Sequence, residues 1–150
     1  MSNVLRRNRA FSDVSYLHNA SRIRAAVTSL VMNEKAFPKR YRFIYSIPCI
    51  DICRELISNA NSYYNCQGED DDLSTLYERK INALMNMQDC CRNLLSEFQS
   101  AREILYIKMS AYENVVGLIV DEEGLINNLI DTEKEKHTNF LKNNLKKELV

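Results

Sequence analysis

The sequence predicts an all-α protein, folded as an up-and-down antiparallel four-helix bundle. Apolar residues recur at spacings of three and four along most of the chain, which is typical of helices that bury one face. The 150 residues include only 3 Gly and 2 Pro, which disfavours a turn-rich β protein. The breaks between the periodic segments are short, and short connections between long helices indicate antiparallel neighbours.

The first predicted helix begins after Ser12 or Asp13, either of which can cap its unpaired backbone N–H groups. It ends before Pro38, because the residue that precedes a proline is disfavoured in the α conformation. Its buried stripe is predicted to comprise Tyr16, Ala20, Ile23, Val27 and Leu30.

The second predicted helix is the most apolar and is expected to lie at the centre of the bundle. Pro48 lies inside it and lacks the backbone donor that a helix interior needs. Either the helix kinks at Pro48, or it begins near Ser46 with Pro48 in its first turn. The predicted buried stripe comprises Phe43, Ile47, Ile50 and Ile57, widened by Ile44, Ile52 and Leu56.

A long third helix is predicted after the break at 65–72, whose acidic residues Asp70, Asp71 and Asp72 suit a helix N-terminus. Its stripe comprises Leu73, Leu76, Tyr77, Ile81, Leu84, Met87, Cys91, Leu94, Phe98, Ala101 and Leu105. The fourth helix is predicted to start at a capping box formed by Ser110 and Glu113. Its stripe comprises Tyr112, Val115, Val116, Ile119, Leu125, Leu129 and Ile130.

These patterns divide the chain into three parts. Residues 1–11 are predicted to form a flexible basic arm, and residues 12–132 form the bundle. Beyond residue 132 the apolar stripe fades, so residues 133–150 are expected to be a basic tail that is either a frayed helix or disordered.

Charge is distributed unevenly along the chain. Residues 1–54 contain ten basic and three acidic side chains, a net charge of +7, and residues 55–150 carry the compensating −7. This asymmetry indicates an anionic partner for the first part and a cationic partner for the second. Alternatively, the two parts fold against each other and their charges partly cancel.

The sequence predicts a protein that is not an enzyme. It has no glycine-rich phosphate loop and no motif that pairs a nucleophile with a base. Five cysteines at irregular spacing do not form a disulfide framework. Cys49 and Cys53 lie four residues apart and, with Cys90 or Cys91, are candidates for a thiolate metal site, but core packing is the favoured interpretation. No cofactor or metal is expected.

The candidate binding site is the junction before the second helix. Lys39, Arg40 and Arg42 place positive charge beside a Pro-marked boundary, and Tyr41 and Tyr45 are candidates for stacking on a base. Four more basic residues of the same part of the chain complete the predicted nucleic-acid-binding set: Arg22, Arg24, Lys35 and Arg54.

The chain has neither a signal-peptide core after Arg6, Arg7 and Arg9 nor an apolar run of 18 residues. We therefore expect a cytoplasmic protein that makes no contact with a membrane.

From Phe37 to Asn59 the chain resembles the Avd-like four-helix bundle proteins, the accessory variability determinants encoded beside reverse transcriptases of diversity-generating retroelements. The residues that carry the resemblance are the junction Phe37–Phe43 and the segment Ile47–Ile52, with a weaker similarity at Ser110–Ile130. The resemblance implies a ring-shaped homo-oligomer, a pentamer, that binds nucleic acid through basic surfaces and docks a reverse transcriptase. Lys39, Arg40 and Arg42 fall on the family's basic junction. The sequence departs from the strongly basic members of the family, since its pI is about 6.7.

Two functions are therefore expected as alternatives. The first is a non-enzymatic accessory subunit of a reverse transcriptase, which binds RNA or an RNA–DNA hybrid and the polymerase and supports synthesis of complementary DNA. The second is a purely structural oligomerisation or protein-interaction bundle with no role in nucleic-acid binding.

Overall fold

The structure, a computed structural model, describes residues 14–66 and 73–149. In these ranges it contains four α-helices and no strand: α1 Ser15–Val31, α2 Ile47–Asn65, α3 Leu73–Ile104 and α4 Met109–Glu148. Each helix packs against the next in the chain, and α4 also packs against α1, which closes the bundle. The predicted four-helix all-α fold is confirmed.

The buried faces of α1 and α3 are those that the sequence predicts. All five residues of the predicted α1 stripe are buried, and so is the predicted α3 stripe from Leu84 to Leu105. Near its start α3 departs from the prediction, since Leu73 is exposed.

Pro48 lies in the first turn of α2, which decides between the two alternatives for this residue. A 3₁₀ turn at Lys39–Tyr41 and a π-helical turn at Arg42–Ser46 precede the regular α-helix. Proline has no N–H, and its ring clashes with the carbonyl four residues back in an α-helix. The regular α-helix therefore starts at Ile47, immediately before the proline.

The buried face of α2 differs from the predicted one. Its fully buried residues are Cys49, Cys53, Leu56 and Ala60. By contrast, Phe43, Ile44 and Ile47 of the predicted stripe are exposed, by 83%, 57% and 39%, whereas Ile50, Ile52 and Ile57 are half-buried. Cys49 and Cys53 lie in the core, as the favoured interpretation of the cysteines expects, because buried cysteine behaves as a small hydrophobe. Of the predicted stripe, only Leu56 is fully buried beside them.

The fourth helix starts and ends elsewhere than predicted. It begins at Met109 with Lys108 at its N-cap position and, within the described residues, has no side-chain cap, so the Ser110–Glu113 capping box does not form. It continues as regular helix to Glu148, a length of about 60 Å.

Packing also continues beyond residue 132, so the predicted end of the bundle is wrong. Glu133 is buried; its Oε1 accepts a hydrogen bond from the Tyr63 hydroxyl at 2.8 Å, and its Oε2 lies 3.7 Å from Lys80 Nζ. One turn later His137 stacks on Tyr77 with 3.9 Å between ring centroids.

The predicted arm at 1–11, the proposed caps Ser12 and Asp13 and the acidic residues Asp70–Asp72 lie outside the described residues.

Candidate nucleic-acid interface

The segment between α1 and α2 is anchored to the bundle by aromatic packing. Phe37 is buried, and its ring lies edge-on to Tyr45 and to Phe98 of α3, with centroids 6.4 and 6.2 Å apart. Edge-to-face pairs at these distances add to the stabilisation from apolar burial. The packing of Phe37 against Tyr45 and Phe98 therefore fixes the position of the segment that carries the predicted basic cluster.

Two hydrogen bonds anchor the π-helical turn at Arg42–Ser46. The Tyr45 hydroxyl lies 3.0 Å from Ser100 Oγ on α3, and Ser46 Oγ donates to the Val31 carbonyl oxygen at the end of α1 at 2.9 Å. These two bonds hold the turn to α3 and α1. Because the buried residues of the turn are fixed, the backbone that carries its outer side chains is fixed as well.

The basic residues of this segment lie on its outer side. Lys35, Lys39 and Arg40 are exposed, and Arg42 is half-buried. Lys39 Nζ lies 3.5 Å from Glu34 Oε1. Both side chains are exposed, so this ion pair contributes little to stability, and Glu34 competes only weakly with a stronger anion for Lys39. The Arg40 guanidinium lies 5.2 Å from the centroid of the Tyr41 ring, within the range of a cation–π contact.

The other predicted basic residues lie away from this cluster. Arg22 and Arg24 are exposed on α1, and Arg22 lines a groove between α1 and α4 together with Asp121. Arg54 lies on α2, about 18 Å along the helical axis from Arg42, and its guanidinium is 3.5 Å from Asp51. Of the seven predicted cations, four lie within the short segment 35–42.

The two predicted stacking residues have different environments. Tyr45 is only 4% exposed and packs against Phe37, so it has no ring face available to a base; its assignment to the binding site is wrong because the ring is needed to anchor the junction. Tyr41 is half-buried beneath Arg40.

Two exposed aromatic rings near the junction were not among the site residues predicted from the sequence. Phe43 lies in the π-helical turn, and Tyr106, which is 90% exposed, lies in the α3–α4 loop at the same end of the bundle. Phe43 was assigned to the core because it fits the apolar spacing of the second helix. Tyr106 follows Leu105, the last residue of the predicted α3 stripe, and this position was the available signal for its exposure.

The basic first part of the chain and the acidic second part do not form two separate surfaces of the bundle. The antiparallel fold places α1, which carries Arg22 and Arg24, beside α4, which carries Asp121 and Glu123. The two parts of the chain thus share a surface, as in the alternative interpretation of the charge pattern.

All five cysteines are buried and unpaired. Burial raises the pKa of the Cys49, Cys53 and Cys90 thiols to about 12, and it also raises the pKa of Cys91. These pKa values keep the thiols protonated at neutral pH, which suits side chains that pack in an apolar core. Among residues 14–66 and 73–149, no three Cys, His, Asp or Glu residues are placed to hold a metal ion. The cysteines fill the core.

A second feature that the sequence analysis missed is the carboxyl group of Glu122 in the centre of the bundle. Glu122 has no exposed surface, and neither of its oxygens has a hydrogen-bond partner within the described part of the chain. Burial raises its pKa from 4.5 to about 8. The Asn19 amide opposes this rise, although its nitrogen is directed at the Leu118 carbonyl oxygen, 3.0 Å away. At neutral pH the group is therefore mostly protonated.

No protein-family model, curated protein sequence or solved structure with which the chain was compared matches it. Within the described ranges, none of the four helices combines the length and the apolar character needed to cross a membrane.

Proposed function

We propose that this protein is a non-enzymatic accessory subunit of a reverse transcriptase and that it binds RNA or an RNA–DNA hybrid at the junction between α1 and α2. The observation that carries the proposal is the cluster of Lys35, Lys39, Arg40 and Arg42 on the outer side of an anchored segment. The reverse transcriptase as partner, and the homo-oligomeric ring, rest on the resemblance to the Avd-like proteins.

The chemistry of the junction suits a phosphate backbone. Arginine presents a planar fork of donors that binds phosphate oxygens in a bidentate manner, and lysine adds a mobile point charge. Because Phe37, Tyr45 and Ser46 fix the backbone, little conformational freedom of the main chain is lost when the cations bind a ligand. The cluster is small, which favours a local RNA contact over coating of long nucleic acids.

The acidic α4 is the surface that we propose for the polymerase. Glu113 and Asp131 are exposed on this helix, outside the lining of the groove between α1 and α4, and offer negative charge to a basic partner. The protein would then bring the polymerase and its template together without contributing to the chemistry of synthesis.

A second candidate function is a structural oligomerisation module. The exposed apolar residues Phe43 and Ile44 of the π-helical turn and Ile47 at the start of α2 favour it, since contiguous exposed apolar side chains often mark protein-interaction sites. This alternative predicts a stable assembly with no affinity for RNA.

Reversal of the junction charge tests RNA binding. We expect Lys39→Glu, Arg40→Glu and Arg42→Glu together to weaken binding of a labelled single-stranded RNA by more than about tenfold, because three phosphate contacts are replaced by repulsion. Fluorescence anisotropy measures the affinity, and circular dichroism checks that the helix content is unchanged.

The matched control carries the same change in charge at the far end of α4. Lys142→Glu, Lys146→Glu and Lys147→Glu together replace three exposed lysines outside the junction, and we expect them to retain most of the RNA affinity. Equal losses in the two variants would mean that RNA responds only to net charge, and the assignment of the junction would then be wrong.

A further inference from the structure

Helix α2 and the turn before it carry two apolar stripes, although the bundle needs only one. The inner stripe consists of buried residues: Tyr45, Cys49, Cys53, Leu56 and Ala60. The outer stripe consists of Phe43, Ile47, Ile50, Arg54 and Ile57, at spacings of four, three, four and three. This alternation is the pattern of a helix that packs along another helix.

The most apolar part of the outer stripe is exposed to solvent. Phe43 and Ile47 are exposed, and Ile50 and Ile57 are half-buried at its border. Helices α1 and α3 pack against α2 on either side, so no described helix of the same chain lies over this face.

Helix α4 carries a complementary stripe on its exposed side. Gly117, Val120 and Gly124 follow one another at spacings of three and four, and each is exposed. A Cβ atom built at either glycine has no atom within 4 Å among the described residues, so contacts within the chain do not require a glycine at either position. Each glycine costs about 1 kcal/mol of helix stability relative to alanine.

Val120 and Gly124 line a groove of about 860 Å³ between α1 and α4, whereas Gly117 lies outside its lining. Its lining includes Val120, Gly124 and Leu125 from α4, with Asn19 and Arg22 from α1. Small residues along one side of a groove allow the large side chains of another helix to approach the backbone closely.

The two surfaces lie on opposite sides of the bundle. Helices α2 and α4 both pack against α1 and α3 and therefore occupy diagonal positions. The outer stripe cannot reach the groove of its own chain. Each surface carries one cation and one anion, so two complementary pairs can form: Arg54 of the outer stripe with Asp121 of the groove, and Asp51 beside Arg54 with Arg22 of the groove.

We propose that the outer stripe of α2 in one copy of the chain packs into the α1–α4 groove of a second copy. The contact joins two different surfaces, so it is head-to-tail, and it closes into a ring where the rotation between successive copies permits. This inference rests on the homo-oligomer of the proposed function and specifies the surfaces that build it.

A mixing experiment with two variants tests the contact. Phe43→Glu with Ile47→Glu disables the outer stripe and leaves the groove intact, whereas Gly124→Trp fills the groove and leaves the stripe intact. All three changes are at exposed positions, so we expect both variants to fold. Each variant alone is expected to be a monomer of about 17.5 kDa, and an equimolar mixture is expected to form a dimer of twice that mass and nothing larger.

Light scattering after size-exclusion chromatography measures the masses in the absence of RNA. A failure of RNA binding therefore has no influence on the result. Two control variants, Tyr106→Glu on the exposed loop and Lys142→Trp on α4 outside the groove, are expected to assemble like the wild type.

Several results would overturn the proposal. The first two are a monomeric wild type and a mixture that stays monomeric. The third is a Gly124→Trp variant that still assembles, because α2 of one copy would then pack on α2 of another and not in the groove. A further contrary result is a stripe variant that keeps its native mass but loses RNA affinity, because the stripe would then be a nucleic-acid surface.

Discussion

Glu122→Gln is expected to make the protein more stable than the wild type at pH 8 and to leave it nearly unchanged at pH 5. The folded protein holds the Glu122 proton up to about pH 8, whereas the unfolded chain releases it near 4.5. The folded state thus binds more protons in this window, so the contribution of Glu122 to the free energy of unfolding falls as the pH rises through it. The fall has a slope of up to about 1.4 kcal/mol per pH unit.

Glutamine has the shape of the protonated acid and does not ionise, so the variant lacks this part of the pH dependence. Urea unfolding of both proteins at pH 5, 6, 7 and 8 measures the difference, with pH 5 as the internal reference. A stability difference that stays constant across the series would mean that Glu122 is ionised in the folded protein, contrary to its burial.

Leu56→Ala is expected to destabilise the protein by about 2–5 kcal/mol, because it removes a fully buried side chain and leaves a cavity. Ile47→Ala on the same helix is the matched comparison. Its side chain is 39% exposed, and we expect a loss below about 1 kcal/mol.

Urea unfolding of both variants, on protein kept monomeric by dilution, measures the two losses. The stripe predicted from the sequence includes both Ile47 and Leu56, so it predicts a large loss for both variants. A loss for Ile47→Ala as large as that for Leu56→Ala would therefore restore that stripe and remove the basis for an outward apolar face on α2.

The sequence was sufficient to predict the elements in which large apolar residues form most of the buried stripe. Tyr16, Ile23 and Val27 in α1 are such residues, and so are Leu84, Leu94 and Phe98 in α3. In these helices the 3.6-residue period and the hydrophobicity of the side chains agree on one face.

The α2 prediction failed because two stripes compete on one helix. Side-chain hydrophobicity favours the isoleucines as the buried face, whereas the packing of the four helices places Cys49, Cys53 and Ala60 in the centre. The π-helical turn before Ile47 also shifts the faces on which its residues lie, and no sequence signal marks that turn.

In α4 the sequence contained the necessary signal. Buried residues follow one another from Val115 through Ile119 to Glu122, Ile126 and Ile130, at spacings of three and four. Position 122 belongs to the buried stripe by its spacing. The predicted stripe omits Glu122 because charged side chains are almost never buried without a partner.

The candidate site was predicted in part. Lys39, Arg40 and Arg42 were predicted from the junction in the sequence; in the structure Lys39 and Arg40 are exposed and Arg42 is half-buried. The role of Tyr45 required the tertiary structure, because the contacts that bury it come from Phe37 and from Ser100, 55 residues away in the chain.

The central claim is that the junction cations contact nucleic-acid phosphates, and the salt dependence of RNA binding tests it most directly. For single-stranded RNA the logarithm of the binding constant falls against the logarithm of salt concentration with a slope of about −0.7 for each phosphate contacted. Three contacts through Lys39, Arg40 and Arg42 thus contribute about −2 to the slope. We expect the junction variant to lose that contribution and the α4 control variant to retain it. A slope that is the same in the wild type and the junction variant, or near zero in both, would contradict the proposed nucleic-acid interface.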